Sequence, residues 1–518
     1  MTAEPAPEKP SADLAALAHG GRLNFFGFVL RLAARLPFLF IAGRSYGAEA
    51  LGRFAYAVLI VELAAQLSTL GLKRGLAQLM ARNDRDHACV VADAMLVSAI
   101  GSVVSMIVLG SFPQAMFPNS QVHGLDWLLP ITVLAISWTD IALSALAYRH
   151  DVGATVRARS IVEPWTISIV AFAWSYISIR DGLIISYVFS MVAALIAALV
   201  PLLKSYGLPH GWKPDLPLAW RTARRNMPLA AADAVEWGSR RVDIAVLGLF
   251  LAPAYVGIYY VAQQVASLPS KLKTSFEPVL GPVIARNVAA KDYRAVARQV
   301  RQVGFWILAA QAGIALSLAI PGRGVMGLVG SHFTGGTATL AFLLAAEVVA
   351  ATAVVSEAAL IYVARHRNMV ISLLMLAIEA ALSVAFIMLF KDLHDWLGND
   401  MDARRWQMTG PAAALCLSLG FASIVKSRLL AKVLGQPVSG WRWDLLWAAA
   451  AGLIVGIPVR IFLPEWAELA LGIPLILGAF CAVLWYKGFG PEDRELFKLR
   501  KAEIEDLATA SEADKDRV

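Results

Sequence analysis

The stretch GLIISYVFSMVAALIAALVPLL (residues 182–203) runs for 22 residues without a charged side chain. A helix of about 20 apolar residues spans the hydrocarbon core of a bilayer, so this run reads as a membrane span. Outward from it, comparable windows fall at 24–44, 53–72, 89–111, 127–148, 160–178, 226–250, 254–275, 302–320, 338–364, 369–390, 410–430, 444–463 and 467–487. The fold predicted is an all-α polytopic membrane protein of about 14 transmembrane helices. Composition agrees: of 518 residues 58% are hydrophobic and 16% charged, where soluble domains carry about 25% charge. A soluble body of this size cannot bury so much apolar surface, which excludes a soluble enzyme. Cys89, Cys416 and Cys481 are scattered and odd in number, and so form neither a disulfide framework nor a metal cluster.

Lysine and arginine set the orientation, because short basic loops stay in the cytoplasm. With both termini inside, and charges near span ends counted with the adjoining loops, 34 of the 46 basic residues fall in cytoplasmic loops and tails, eight fall outside and four lie deeper within spans. Lys73, Arg74, Arg82 and Arg85 follow the second span, whereas 112–126 on the other side has no basic residue. The formal charge of +8 therefore reads as topology, and no nucleic-acid partner is expected. Residues 1–20, with Pro5, Pro7 and Pro10, read as a disordered cytoplasmic tail without a cleavable signal. Residues 489–518 read as a second cytoplasmic tail, with an amphipathic helix on the membrane face.

The chain resembles itself at a shift of about 205 residues. AEALGRFAYA (48–57) and APAYVGIYYVA (252–262) place Gly52 on Gly257 and Ala57 on Ala262; Arg35 falls on Arg240 at the same shift, and Ala81-Arg82 on Ala285-Arg286 at 204. A shift of six spans keeps both copies in one orientation, as in parallel repeats related by an axis along the membrane normal. The organisation expected is a six-helix bundle over 21–203, a cytoplasmic linker at 204–225, a second six-helix bundle over 226–430 and two additional spans within 431–488. Two bundles that rock about a cavity suit a transporter.

Charges inside a membrane are costly and therefore face a bundle interior or a water-filled space. Asn24, Gly27, Arg31 and Arg35 share one face of the first span, and Glu62 lies at mid-depth in the second, within reach of an Arg35 pair. On the seventh span Asn226, Asp233, Glu236, Arg240 and Asp243 share a face, with Arg241 beside it. Spacings of four and three residues predict Glu236–Arg240 and Arg240–Asp243 pairs. No other span carries arginine at that depth, whereas carboxylates also occur at Asp93, Asp140, Glu163, Glu347, Glu357 and Glu379. Arginine presents a fixed fork of donors suited to phosphate. Arg31, Arg35, Arg240 and Arg241 are thus candidate ligands for an anionic headgroup. Glu62, Asp140, Asp233, Glu236 and Asp243 are candidates for ion coupling or for internal ion pairs. Prolines at 37, 130, 164, 228, 278 and 282 allow spans to bend.

Other motifs are weak. Gly322 to Gly327 fits G-x-G-x-x-G but follows an apolar helix and is expected to be an external loop. Asp392, His394 and Asp395 read as a solvated loop, and no Walker A, HExxH or CxxC pattern occurs. No metal or cofactor is expected.

GGRLNFFGFVLRLAARLPFLFIAGRSYGAEALGRFAYA (20–57), GLKRGLAQLMAR (71–82) and RVDIAVLGLFLAPAYVGIYYVAQQVASL (241–268) together resemble the polysaccharide-transporter, or Wzx-type oligosaccharide flippase, branch of the multidrug/oligosaccharidyl-lipid/polysaccharide exporter superfamily. The most characteristic piece is a Gly-x-[Phe/Tyr] turn after the first helix of each half. The resemblance implies a bacterial inner-membrane protein, not an enzyme, that moves a polyprenyl-diphosphate-linked saccharide to the outer leaflet for O-antigen, capsule or exopolysaccharide assembly. It implies membrane lipids and glycan polymerase machinery as partners, with coupling to H+ or Na+, and a cationic cavity in which Arg31, Arg35 and Arg240 would stand. Two rival readings are a multidrug antiporter of the same superfamily, which would favour carboxylates near the first span, and a membrane glycan polymerase or ligase. The latter would need a longer external loop than the roughly twenty residues at 391–409.

Overall fold

A computed structural model describes residues 36–82, 85–149, 151–238, 241–392, 400–490 and 493. Arg31, Arg35 and Arg240 lie outside the described residues, as do the tail 1–20, most of the first expected span, His394, Asp395 and the last tail apart from its first two residues and Asp493. The described chain is helical and contains no strand. Ten of its helical stretches are long and apolar enough to cross a membrane, Gly182–Tyr206 among them.

The first helices are α1 (36–46), α2 (Gly47–Ser68), α3 (Leu72–Arg82), α4 (His87–Ser111), α5 (Thr132–Tyr148), α6 (152–174) and α7 (Gly182–Tyr206). Then come α8 (Leu216–Gly238), α9 (Val242–Phe250), α10 (Pro253–Ala289), α11 (Tyr293–Ala319), α12 (Gly322–Val329), α13 (Thr337–Val363), α14 (Arg365–Asp392), α15 (Asp400–Leu434), α16 (Asp444–Phe462) and α17 (Glu465–Gly488). Most are apolar on every side, since lipid and protein both accept apolar side chains. On α4, for example, Val103, Val104, Ile107 and Val108 stay exposed while Val90, Val91, Ala94 and Val97 are buried. Such exposed faces are lipid-contacting surface. Exposed aromatics collect near helix ends, with Trp441, Trp443 and Trp447 at the start of α16 and Trp466 and Tyr486 at the ends of α17, the usual place for amphipathic rings at the membrane interface.

Helices α2 and α4 to α7 pack together, as do α10, α11 and α13 to α15. Helices α16 and α17 pair with each other and lean on α11. The two groups meet chiefly along α2 and α10, which cross at Gly52 and Gly257.

Two sequence expectations change. Before them in the chain, the basic stretch after the second span is itself helical: Leu70 and Gly71 adopt positive φ (47° and 73°), which turns the chain into α3. Helix α3 is amphipathic, burying Leu72, Leu76 and Met80 and exposing Lys73, Arg74 and Gln78, as a helix lying along the membrane face does. The expected seventh span, 226–250, is two helices, because Arg241 leaves helical geometry (φ −145°, ψ 3°). Gly238 is a weak helix former at the break, and the Asp243 carboxylate accepts a bond from the Ile244 N–H (2.8 Å) in the first turn of α9, where a helix favours an acid. Finally, Gly322–Val329 is a short helix and not a loop, because Val325, Met326 and Val329 form one buried face.

Candidate functional site

The expected seventh span is interrupted at Arg241. Helix α8 lies against α2, α3 and α4, whereas α9 packs chiefly on α10, α14 and α15 and also touches α2. Charges of this segment find partners on other helices. Arg240, the expected partner of Glu236 and Asp243, lies outside the described residues; Glu236 and Asp243 themselves stand on separate helices, α8 and α9.

Arg74 of α3 faces both carboxylates of α8. Its Nε stands 2.8 Å from Asp233 and its Nη2 2.5 Å from Glu236. Asp233 is buried, while Arg74 and Glu236 are about half exposed, at 52% and 51%. Neither Asp233 oxygen has an aligned hydrogen bond, so Asp233 is held by charge and not by a directed contact. The fit of α8 onto the turn before α3 is tight. A β-carbon on Gly71 would lie 2.7 Å from the Ala230 nitrogen, and one on Gly75 2.4 Å from the Asn226 side-chain oxygen.

Arg241, at the break, pairs with Glu62 of α2 at 2.8 Å and lies over the Trp237 ring at 5.4 Å. Glu62 therefore has Arg241 as its partner among the described residues, where the sequence offered Arg35. Arg241 is 38% exposed and Glu62 29%. Charged side chains this open, amid apolar helices, must face water and not lipid, so the junction of α2 with α8 and α9 borders a polar space.

One layer deeper in the first bundle, Arg159 of α6 bridges Asp140 of α5 (2.5 Å) and Glu163 (2.9 Å), and Lys73 adds a second contact to Asp140 (3.1 Å). Tyr187 of α7 lies within electrostatic reach of Glu62, Glu163, Arg159 and Arg241, linking the two clusters. Sequence reading placed Arg159 in a loop at the edge of the 160–178 span and so missed it. The signal available was Glu163, one helical turn away.

Asp243 faces the second bundle. It accepts from Tyr259 Oη (2.6 Å) and from Gln263 Nε2 (3.1 Å), and Glu379 of α14 is close enough to interact with it electrostatically. Glu379 is fully buried; neither oxygen has an aligned hydrogen bond, although the Asp243 backbone N–H lies near its carboxylate. Elsewhere in that bundle the buried Lys426 meets Glu357 at 2.9 Å. Among the described residues no group of three or more His, Cys, Asp and Glu side chains could hold a metal ion, and Cys89, Cys416 and Cys481 are free.

The sequence pattern of a family described as "Polysaccharide biosynthesis protein" matches residues 30–288, half of the chain, including α2, α8, α9 and the charged junction between them. The chain belongs to this family. No curated protein matches the sequence significantly. This polysaccharide biosynthesis family member has the fold of a solved lipid II flippase, MurJ, in an inward closed conformation: TM-score 0.67 at 11% identity, covering 90% of this chain and 99% of that one. It is also similar to an inward-facing MATE-family multidrug resistance transporter of the MOP superfamily, with TM-score 0.62 and 12% identity over 78% of this chain and 95% of that one. A MOP-superfamily transporter from Pyrococcus furiosus gives 0.51 at 13% identity, over 82% and 96%. The family member is thus a multi-pass membrane protein with a MOP-type fold.

Proposed function

We propose that this protein is an alternating-access flippase of the Wzx type. It carries a polyprenyl-diphosphate-linked saccharide from the cytoplasmic to the periplasmic leaflet of a bacterial inner membrane, with both termini in the cytoplasm. The product feeds O-antigen, capsule or exopolysaccharide assembly by glycan polymerase machinery. The observation that supports this best is Arg241: a guanidinium at the junction of the two bundles, 38% exposed and paired with a carboxylate that an incoming anion can displace. A diphosphate crossing hydrocarbon without such a partner would face a barrier of at least several kcal/mol. Arg31, Arg35 and Arg240 complete the cationic wall in this reading. The glycan passes through the polar space while the lipid tail stays in the bilayer.

Coupling belongs to Asp243. Two carboxylates, Asp243 and Glu379, share one dry pocket with Tyr259 and Gln263. Like charges so placed favour a proton or a small cation between them, which makes this the entry point for H+ or Na+.

The test is a deletion strain complemented with wild-type or Arg241→Ala protein. Lipid-linked saccharide should accumulate with its headgroup still cytoplasmic in the deletion and in the variant. Accumulation of externally exposed, unpolymerised units would instead indicate a polymerase or ligase. A second reading, a multidrug or cation antiporter, draws support from the charge count at the junction. Five carboxylates, Glu62, Asp140, Glu163, Asp233 and Glu236, gather there and could receive a cation. Active efflux of ethidium by the purified protein in vesicles would favour that reading.

A further inference from the structure

Arg74 was not among the arginines that the sequence marked for substrate, yet it is the most exposed of those paired at the junction, and it holds two helices together. We infer that Arg74 is a further substrate-binding residue and that its ion pairs with Asp233 and Glu236 form a latch which the substrate's diphosphate opens. This rests on the flippase reading above.

Four features support it. Arg74 contacts both α8 carboxylates, at 2.8 Å and 2.5 Å, so its guanidinium ties α8 to α3 at this end. It is half exposed on α3, which lies on the cytoplasmic side by the distribution of basic residues, so a headgroup arriving from that side meets it before Arg241. A diphosphate offers an arginine the same planar pair of oxygens as a carboxylate, with more charge, and so competes for the same fork. Lastly, the helix axis is interrupted between α8 and α9: the chain leaves helical geometry at Arg241, and α9 beyond it packs chiefly on the second bundle.

When the diphosphate takes Arg74, Asp233 loses its counter-charge while still buried, which is unfavourable. The relief available is for α8 to part from the tight seat at Gly71 and Gly75, bringing both carboxylates to water. Ligand capture and opening of the α3–α8 seam are then one event. After the headgroup has moved on toward Arg241, Asp233 and Glu236 reclaim Arg74 and the seam closes behind it.

The two sides of the latch make opposite predictions, which a merely structural ion pair does not. Binding of undecaprenyl diphosphate, without sugar, to the full chain in nanodiscs should weaken roughly tenfold in Arg74→Ala. It should tighten several-fold in Asp233→Asn/Glu236→Gln, where the guanidinium is already released. Hydrogen–deuterium exchange across 226–238 should rise in wild type on adding undecaprenyl diphosphate, and should be high without it in the double variant. If Arg74→Ala fails to fold, the triple variant Arg74→Ala/Asp233→Asn/Glu236→Gln, which strands no carboxylate, takes its place and should bind weakly. Affinities that shift in the same direction in both variants, or not at all, overturn the latch while leaving the flippase reading intact, provided wild type binds. If wild type does not bind undecaprenyl diphosphate, both fall together.

Discussion

The backbones of Gly52 and Gly257 meet where α2 and α10 cross. A β-carbon on Gly52 would stand 1.7 Å from the Pro253 carbonyl oxygen, and one on Gly257 would stand 2.0 Å from that of Ala48. These are the two positions that the 205-residue shift equates. Each glycine thus lets the backbone of the other helix approach at a position where no side chain fits.

Gly257→Ala should therefore destabilise the protein, although the same change in an ordinary helix gains up to about 1 kcal/mol. Forcing a methyl group against a carbonyl at 2.0 Å separates α2 from α10 at a cost of about 1–3 kcal/mol. A lowered melting temperature in detergent, together with reduced polymer export, is the expected result. An unchanged or raised melting temperature would show that the helices part freely there.

Glu62 and Arg241 divide stability from transport. Both are well exposed, so breaking the pair should cost at most about 1 kcal/mol, and either single substitution should leave expression and melting nearly unchanged. Export should fall sharply in Arg241→Ala. It should not recover in the charge-swapped Glu62→Arg/Arg241→Glu protein, because the guanidinium is then on the wrong helix. Recovery in the swap would assign the pair a structural role only.

Arg159 should behave in the opposite way. It is three-quarters buried between Asp140 and Glu163, and its removal leaves two carboxylates short of charge, a loss of about 3 kcal/mol. Arg159→Ala should lower the melting temperature and the yield of folded protein. Arg159→Ala combined with Asp140→Asn and Glu163→Gln should recover most of the loss.

Asp243→Asn and Glu379→Gln should uncouple transport from an imposed H+ or Na+ gradient while retaining binding of lipid-linked saccharide. Tyr259→Phe removes one hydrogen bond to Asp243, worth about 1 kcal/mol, and should give a milder form of the same defect. Reconstituted vesicles with defined gradients provide the measurement. An undiminished gradient response in Asp243→Asn would remove this pocket from coupling.

Much of the spanning architecture was legible in the sequence because hydropathy is a local property. A window such as 182–203 has few alternatives to a buried or lipid-facing helix. The glycine match was legible too, since close backbone approach admits no other side chain. Helix ends were less so. Arg159 was read as loop because charge lowers a hydropathy window whether or not a partner neutralises it.

By itself, then, the sequence determined a polytopic helical protein and a set of charges that had to avoid lipid. Only the tertiary structure decided who pairs with whom. The break at Arg241 and the turn at Leu70 and Gly71 redirect α8 and α3, so that Arg74 reaches Asp233 and Glu236, and Arg241 reaches Glu62. Spacing along a chain predicts partners only while one helix axis continues. Once it ends, proximity is set by packing between helices distant in sequence, and that is where the charged junction was made.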